Sequence, residues 1–197
     1  MKFDIELVGK IGSMALIREA EHDINYNVFS RIGSELRPGM IWVSSGAVEI
    51  GRLDYIKRTD CELTGYKSDI MTDYSAQGQA ILMEEYRRYI PSKYSVRQLL
   101  VEHMHFNDSE KREHIYQFLM RCVKQDAVPI VNYNDTVSFE ENRRWELEQL
   151  RNNGQKRIVE CIDNDETASV ITTLVHPKYL LILTSVNGIY MDPKDPT

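Results

Sequence analysis

Four short stretches carry residue types suited to holding an anion. They are Lys10-Ile11-Gly12-Ser13, Ser44-Ser45-Gly46-Ala47, Asn132-Tyr133-Asn134-Asp135 and Thr184-Ser185. Gly and Ser let backbone N–H groups approach phosphate or carboxylate oxygens closely, and Lys10 adds a positive charge. Each stretch also has an ordinary explanation, because βα turns use Gly, Ser and Asn for positive φ and for caps. Four of them in one chain are harder to assign to turn chemistry alone. A further stretch, Asp163-Asn164-Asp165-Glu166, precedes an apolar helical run. Asp163 with Glu166 fits a capping-box-like pattern, which accounts for one acid and leaves Asn164 and Asp165 without a stated job. Neither the P-loop spacing nor GxGxxG occurs, so neither a P-loop nor a dinucleotide fingerprint is supported. His103 and His105 would share one side of a continued strand and suit a metal, but no third ligand is evident, and a satisfied or solvated pair is the reading. No basic neighbourhood surrounds Cys161, which reads as small packing.

These residues need strands that end together. Ile5 to Val8 reads as a strand leading into the Lys10 turn. Met40 to Val43, Val96 to Val101, Ala127 to Val131 and Tyr179 to Leu183 read as four more. Helical spacing links Ile24, Val28, Ile32 and Leu36, and recurs over Gln77 to Tyr89 and Ser109 to Lys124. A last helix runs from Asp163 to about Val175, where His176-Pro177 stops it. Residues 53–75 are mixed and polar with no clean period. Residues 140–157 are nearly all polar, with Trp145, Leu147 and Leu150 as exceptions, and read as a mobile, exposed, charged insert. Strands alternating with helices predict an α/β fold around a mainly parallel sheet, with ligands beyond the carboxyl ends of the strands.

The 197 residues suit one domain, with 24 Lys+Arg against 30 Asp+Glu. The resulting charge of −6 argues against non-specific nucleic-acid binding, which needs a positive field, while leaving room for one local anion pocket. Three cysteines, odd in number and without a CxxC pair, fit a reducing cytoplasm. The start, MKFDIELVGK, is too charged for a signal peptide, and no 18-residue apolar stretch predicts a transmembrane helix.

At these junctions the chain resembles the amino acid kinase family, and within it the glutamate 5-kinase branch. The resemblance rests on Lys10-Ile11-Gly12-Ser13, Val43-Ser44-Ser45-Gly46-Ala47, Gln77-Gly78-Gln79 and Gln98-Leu99-Leu100. It continues through Pro129-Ile130-Val131-Asn132-Tyr133-Asn134-Asp135-Thr136-Val137, Asp163-Asn164-Asp165, Leu183-Thr184 and Gly188-Ile189-Tyr190. It implies a three-layer α/β/α sandwich with a mainly parallel central sheet. It also implies ATP-dependent phosphorylation of the L-glutamate γ-carboxylate, the first step of proline synthesis, with Mg²⁺ accompanying ATP. By position, Lys10 would touch the transferring phosphoryl group and Asp165 would organise the catalytic lysines. Ser45, Asp135 and Asn164 would bind glutamate. Gly12 and Ser13 would line the phosphate site, and Thr184 and Ser185 would border the nucleotide. The expected partners are L-glutamate and ATP, without nucleic acid or membrane, in a homo-oligomer. A carboxylate nucleophile is already ionised at pH 7, so no general base is required; the obstacle is repulsion between two anions.

The chain departs from the family pattern at several positions. The pattern usually has Asp where Ser185 and Asn187 stand, Glu where Tyr133 stands and a glycine where Ile162 stands. The segment between Asp135 and Asp163 is longer and more charged. The chain stops at Thr197, ahead of the family's glycine-rich, lysine-bearing loop, so residues 1–197 are expected to be a domain incomplete at its C-terminus and a poor kinase or none. Two other readings stay open: a non-catalytic remnant that binds glutamate or another small molecule, and a related kinase for another acidic substrate such as N-acetylglutamate.

Overall fold

The computed structural model describes residues 4–137, 140–152 and 158–184. In chain order the first elements are β1 (Leu7–Ile11), a 3-10 turn over Ser13–Ala15, β2 (Ile17–Arg18), β3 (Asp23–Ile24) and α1 (Tyr26–Glu35). Then come β4 (Met40–Ser44), α2 (Ala47–Thr59), α3 (Lys67–Tyr89), β5 (Ser95–Val101), α4 (His103–Asn107) and α5 (Ser109–Lys124). The last are β6 (Ala127–Tyr133), α6 (Glu140–Asn152), α7 (Asn164–Val175) and β7 (Tyr179–Leu183). Five strands form one sheet in the order β5-β6-β4-β1-β7, and every neighbouring pair is parallel. Parallel neighbours need crossovers, which the helices supply. β2 and β3 pair separately as a small antiparallel ribbon.

Alternating side chains on the strands divide the core into two layers. Ile11, Met40, Trp42, Val128 and Ile130 pack with Phe29, Ile50, Leu82 and Tyr86 of α1, α2 and α3. Val8, Ile41, Val43, Val131 and Tyr133 pack with Phe106, Leu119, Ala168 and Ile171 of α4, α5 and α7. The expected three-layer α/β/α sandwich around a parallel sheet is therefore present. Trp42 Nε1 donates to the Tyr86 hydroxyl at 2.9 Å, and that hydroxyl shares a 2.8 Å hydrogen bond with Ser44 Oγ, so the polar atoms inside the first layer satisfy one another.

Three readings are refined by the structure. Residues 53–75, which offer no clean period, hold the end of α2 and the first nine positions of α3. The two helices meet through backbone: a Cβ on Gly51 would overlap the Tyr74 carbonyl, and one on Gly78 would overlap the Ala47 carbonyl. A seam of Ala47, Gly51, Ser75 and Gly78 leaves little apolar periodicity to read. The histidines do not continue a strand. β5 ends at Val101 and Glu102 caps α4, whose capping box includes a hydrogen bond from the Glu102 N–H to His105 Nδ1 at 2.9 Å. His103 turns inward, 2% exposed, so the two rings serve different partners. Finally, the described part of the charged insert is the helix α6, and it is not wholly exposed. Arg143 and Leu147, one turn apart, are buried at 6% and 4%, while Trp145 is 61% exposed. One inward-facing stripe is enough to seat a helix whose remaining face is charged.

Candidate active site

The parallel register brings the carboxyl ends of the strands to one edge. Ile11 lies opposite both Ser44 and Leu183, and Val101 lies opposite Tyr133. Hydrogen bonds continue past the strand ends: Ser45 N to Ile11 O at 3.1 Å, Gly12 N to Leu183 O at 3.1 Å and Asn134 N to Val101 O at 2.9 Å. Lys10, Gly12, Ser13, Ser45, Asp135 and Thr184 therefore leave the sheet along this edge. Ser185 lies outside the described residues.

Lys10 is on β1 and points toward the α7 layer. It is 7% exposed, and its Nζ lies 2.8 Å from Asp165 Oδ1, while the Asp165 side chain is 57% exposed. One partner is thus buried and the other keeps its contact with water. Gly12 leaves space beside the ammonium, since a Cβ there would come 3.8 Å from Lys10 Nζ. A positively charged group with an open glycine next to it is a chemical fit for a phosphoryl group. Among the described residues no group of three His, Cys, Asp or Glu side chains is placed to hold a metal ion.

Asp163 caps α7 by accepting from Glu166 N at 2.8 Å, and Glu166 Oε2 accepts from Ile162 N at 2.6 Å. That fixes the next two side chains. Asn164, 8% exposed, is a junction. Its Oδ1 accepts from Tyr133 N at 3.0 Å, and its Nδ2 donates to Asn132 Oδ1 at 2.8 Å and Ser45 Oγ at 3.1 Å. Asn132 Nδ2 in turn donates to Gln79 Oε1 at 2.8 Å. Because Ser45 Oγ accepts here, its O–H is left to donate to a ligand. Gln79 Nε2 is buried with no hydrogen-bond partner among the described residues, close to the same network. Sequence reasoning assigned Gln79 no role; a glutamine on a helix looks like solvated surface until its amide is found buried. Changing Asn164→Asp keeps the shape but removes both donated bonds. It should cost about 1–3 kcal/mol, the penalty for leaving buried partners unpaired. Urea unfolding of the variant against the parent checks this.

Asp135 does not stand alone. Its carboxylate is paired with the Arg143 guanidinium of α6. Arg143 also donates to the Ile162 carbonyl at 2.5 Å and lies over the Tyr133 ring, 3.7 Å from its centroid. Burial pushes the Asp135 carboxyl up, and Arg143 opposes that. Next to this corner, Tyr133 OH accepts from His103 N at 3.1 Å, and His103 Nε2 lies 3.3 Å from Glu146 Oε2 of α6. Cys161 hydrogen-bonds Thr167, and burial raises its thiol to about 11, which makes it unreactive at neutral pH.

Burial, set against the pull of Glu146, holds the His103 pKa below its ordinary value of 6.5. The unfolded chain then takes up a proton as pH drops below about 6.5, and the folded chain resists doing so. The contribution of His103 to stability is complete above that value and declines as pH falls toward the depressed folded pKa. Denaturant midpoints measured from pH 7.5 to 5 should fall on the acid side, and His103→Gln should flatten that fall.

From residue 7 to residue 197 the sequence matches the amino acid kinase family, and the chain belongs to that family. Among curated relatives, glutamate 5-kinase 1 of Bacillus subtilis is 30% identical over 200 residues, covering 93% of this chain and 46% of the relative. Glutamate 5-kinase of Alkaliphilus metalliredigens is 29% identical over 198 residues, covering 96% of this chain and 67% of the relative. Glutamate 5-kinase of Streptococcus suis is 28% identical, covering 97% of this chain and 50% of the relative. The chain thus spans about half the length of most of these relatives.

Proposed function

We propose that this domain serves the transfer of the ATP γ-phosphoryl group to the side-chain carboxylate of L-glutamate, giving L-glutamyl 5-phosphate for proline synthesis. The observation that carries this reading is that buried Lys10 and the Ser45–Asn164 pair open on the same sheet edge, joined through the start of α7. The names of the relatives support glutamate as the substrate.

In this reading a carboxylate oxygen attacks the γ-phosphorus, the bond to the β,γ-bridging oxygen breaks and ADP leaves. No proton has to move, so the site needs no base. Its task is to hold two anions in line. Lys10 offsets negative charge on the moving group, and Asp165 holds its ammonium in place. The backbone at Gly12 and Ser13 lines the phosphates, and Thr184 and Ser185 border the nucleotide. Ser45 donates to the substrate carboxylate, Asn164 fixes that hydroxyl, and Asp135, once its carboxylate is released from Arg143, is the counter-charge for the α-ammonium. Mg²⁺ bound to the triphosphate would offset part of its charge.

The free state of Cys61, Cys122 and Cys161 suits a cytoplasmic setting, and no described helix is long and apolar enough to cross a membrane. Association into a homo-oligomer rests on the family resemblance alone. The test is ADP release with Mg²⁺ and ATP across L-glutamate, N-acetyl-L-glutamate, L-aspartate and no acceptor. Release that depends on L-glutamate above the others supports the reading; equal release without an acceptor contradicts it.

A further inference from the structure

We propose that Arg143 is an internal competitor for the Asp135 carboxylate, and so a specificity-determining residue that penalises acids carrying a free α-ammonium group. The inference rests on the acidic-substrate reading of the site. A guanidinium and an alkylammonium need the same thing from Asp135, a buried counter-ion, and the carboxylate is already engaged by Arg143.

Arg143 holds that position through more than one contact. Its guanidinium lies over the Tyr133 ring, donates to the Ile162 carbonyl and is 6% exposed. The position is reinforced along α6. Leu147, one turn on, is 4% exposed, and Glu146 faces His103 at 3.3 Å. An incoming ammonium must therefore either displace the guanidinium, and with it this face of α6, or bind at a corner whose negative charge is already offset. A dicarboxylate without the amino group meets no such conflict. The cost falls on the ammonium and not on the carboxylates, for which the proposed reading uses Ser45, away from this corner.

The experiment is calorimetry on the full 197-residue chain, titrating L-glutamate and glutarate, the same dicarboxylate without its amino group, into the parent and Arg143→Gln. If the state with Asp135 released is populated at about one part in ten or less, removing the competitor should strengthen L-glutamate binding about tenfold or more. Glutarate affinity should change less than about twofold on the same reasoning. A parallel change for both acids, or weaker L-glutamate binding in the variant, overturns the competitor role and leaves the acidic-substrate reading standing. No binding of either acid to either protein overturns that reading, and the competitor with it. A second readout does not depend on the variant folding. Trp145 lies on α6 between Arg143 and Glu146 and is largely exposed. Its emission in the parent should shift with L-glutamate and not with glutarate, with Trp145→Phe as the control for Trp42. Identical responses to the two acids would also overturn the proposal.

Discussion

Lys10→Met should lower the rate of phosphoryl transfer by about 10²–10³, the usual consequence of removing one preorganised charge from a developing anion. Methionine keeps an unbranched stem at this buried position and removes only the ammonium. The folded state should tolerate the change. The partner left behind, Asp165, has a side chain 57% exposed and is solvated by water once the ion pair is gone. Binding of the acidic substrate, which the proposed function places on Ser45 and Asn164, should change much less than the rate. Asp165→Asn should have a smaller effect of the same kind, because the charge on Lys10 remains and only its anchor is weakened. Steady-state kinetics of both variants check this. A loss of less than about tenfold for Lys10→Met would remove the lysine from the chemical step.

The second large effect belongs to the scaffold. Gly78→Ala places a methyl group where the Ala47 carbonyl and the Gly51 nitrogen already sit, and no flexible side chain can move aside. α2 and α3 would have to separate along their contact, at a cost of about 1–3 kcal/mol or somewhat more. For a domain of this size each kcal/mol corresponds to about 2–4 °C in melting temperature, so calorimetric scanning should show a clear drop. The shift should also reach the site. α2 begins directly after the Ser44-Ser45-Gly46 turn, where Gly46 has φ near 103°, and Gln79 follows Gly78. An unchanged melting temperature would mean that the two helices do not pack as described.

Much of the site was legible in the sequence because a parallel sheet obeys a simple rule. Strand ends collect on one edge, so the polar turns after β1, β4 and β6 had to meet there, and small residues such as Gly12 and Ser45 were visible as close-approach positions. The run Asp163-Asn164-Asp165 was legible too, since a cap explains only its first member. What the sequence concealed has common physical causes. The first turns of α3 pack through Gly51, Ser75 and Gly78, and contacts between backbones leave no hydrophobic period. The buried amide of Gln79 looks like any helical surface glutamine. Arg143 was hidden most completely. In a segment this rich in charge, a single buried cation cannot be told from its solvated neighbours, and its partner Asp135 lies eight residues earlier in a different element. The histidines already read as a satisfied or solvated pair; what the pattern hid is that Glu102 starts a helix where the strand pattern runs on.

The central claim is that a carboxylate, and not water or a hydroxyl, accepts the phosphoryl group at this sheet edge. Trapping with hydroxylamine tests it most directly, because an acyl phosphate is converted to a hydroxamate, whereas a phosphate ester or free phosphate is not. With Mg²⁺, ATP, L-glutamate and hydroxylamine, the account predicts a γ-glutamyl hydroxamate formed in step with ADP and lost in Lys10→Met. ADP released without hydroxamate, or hydroxamate formed to the same extent in Lys10→Met, would contradict it.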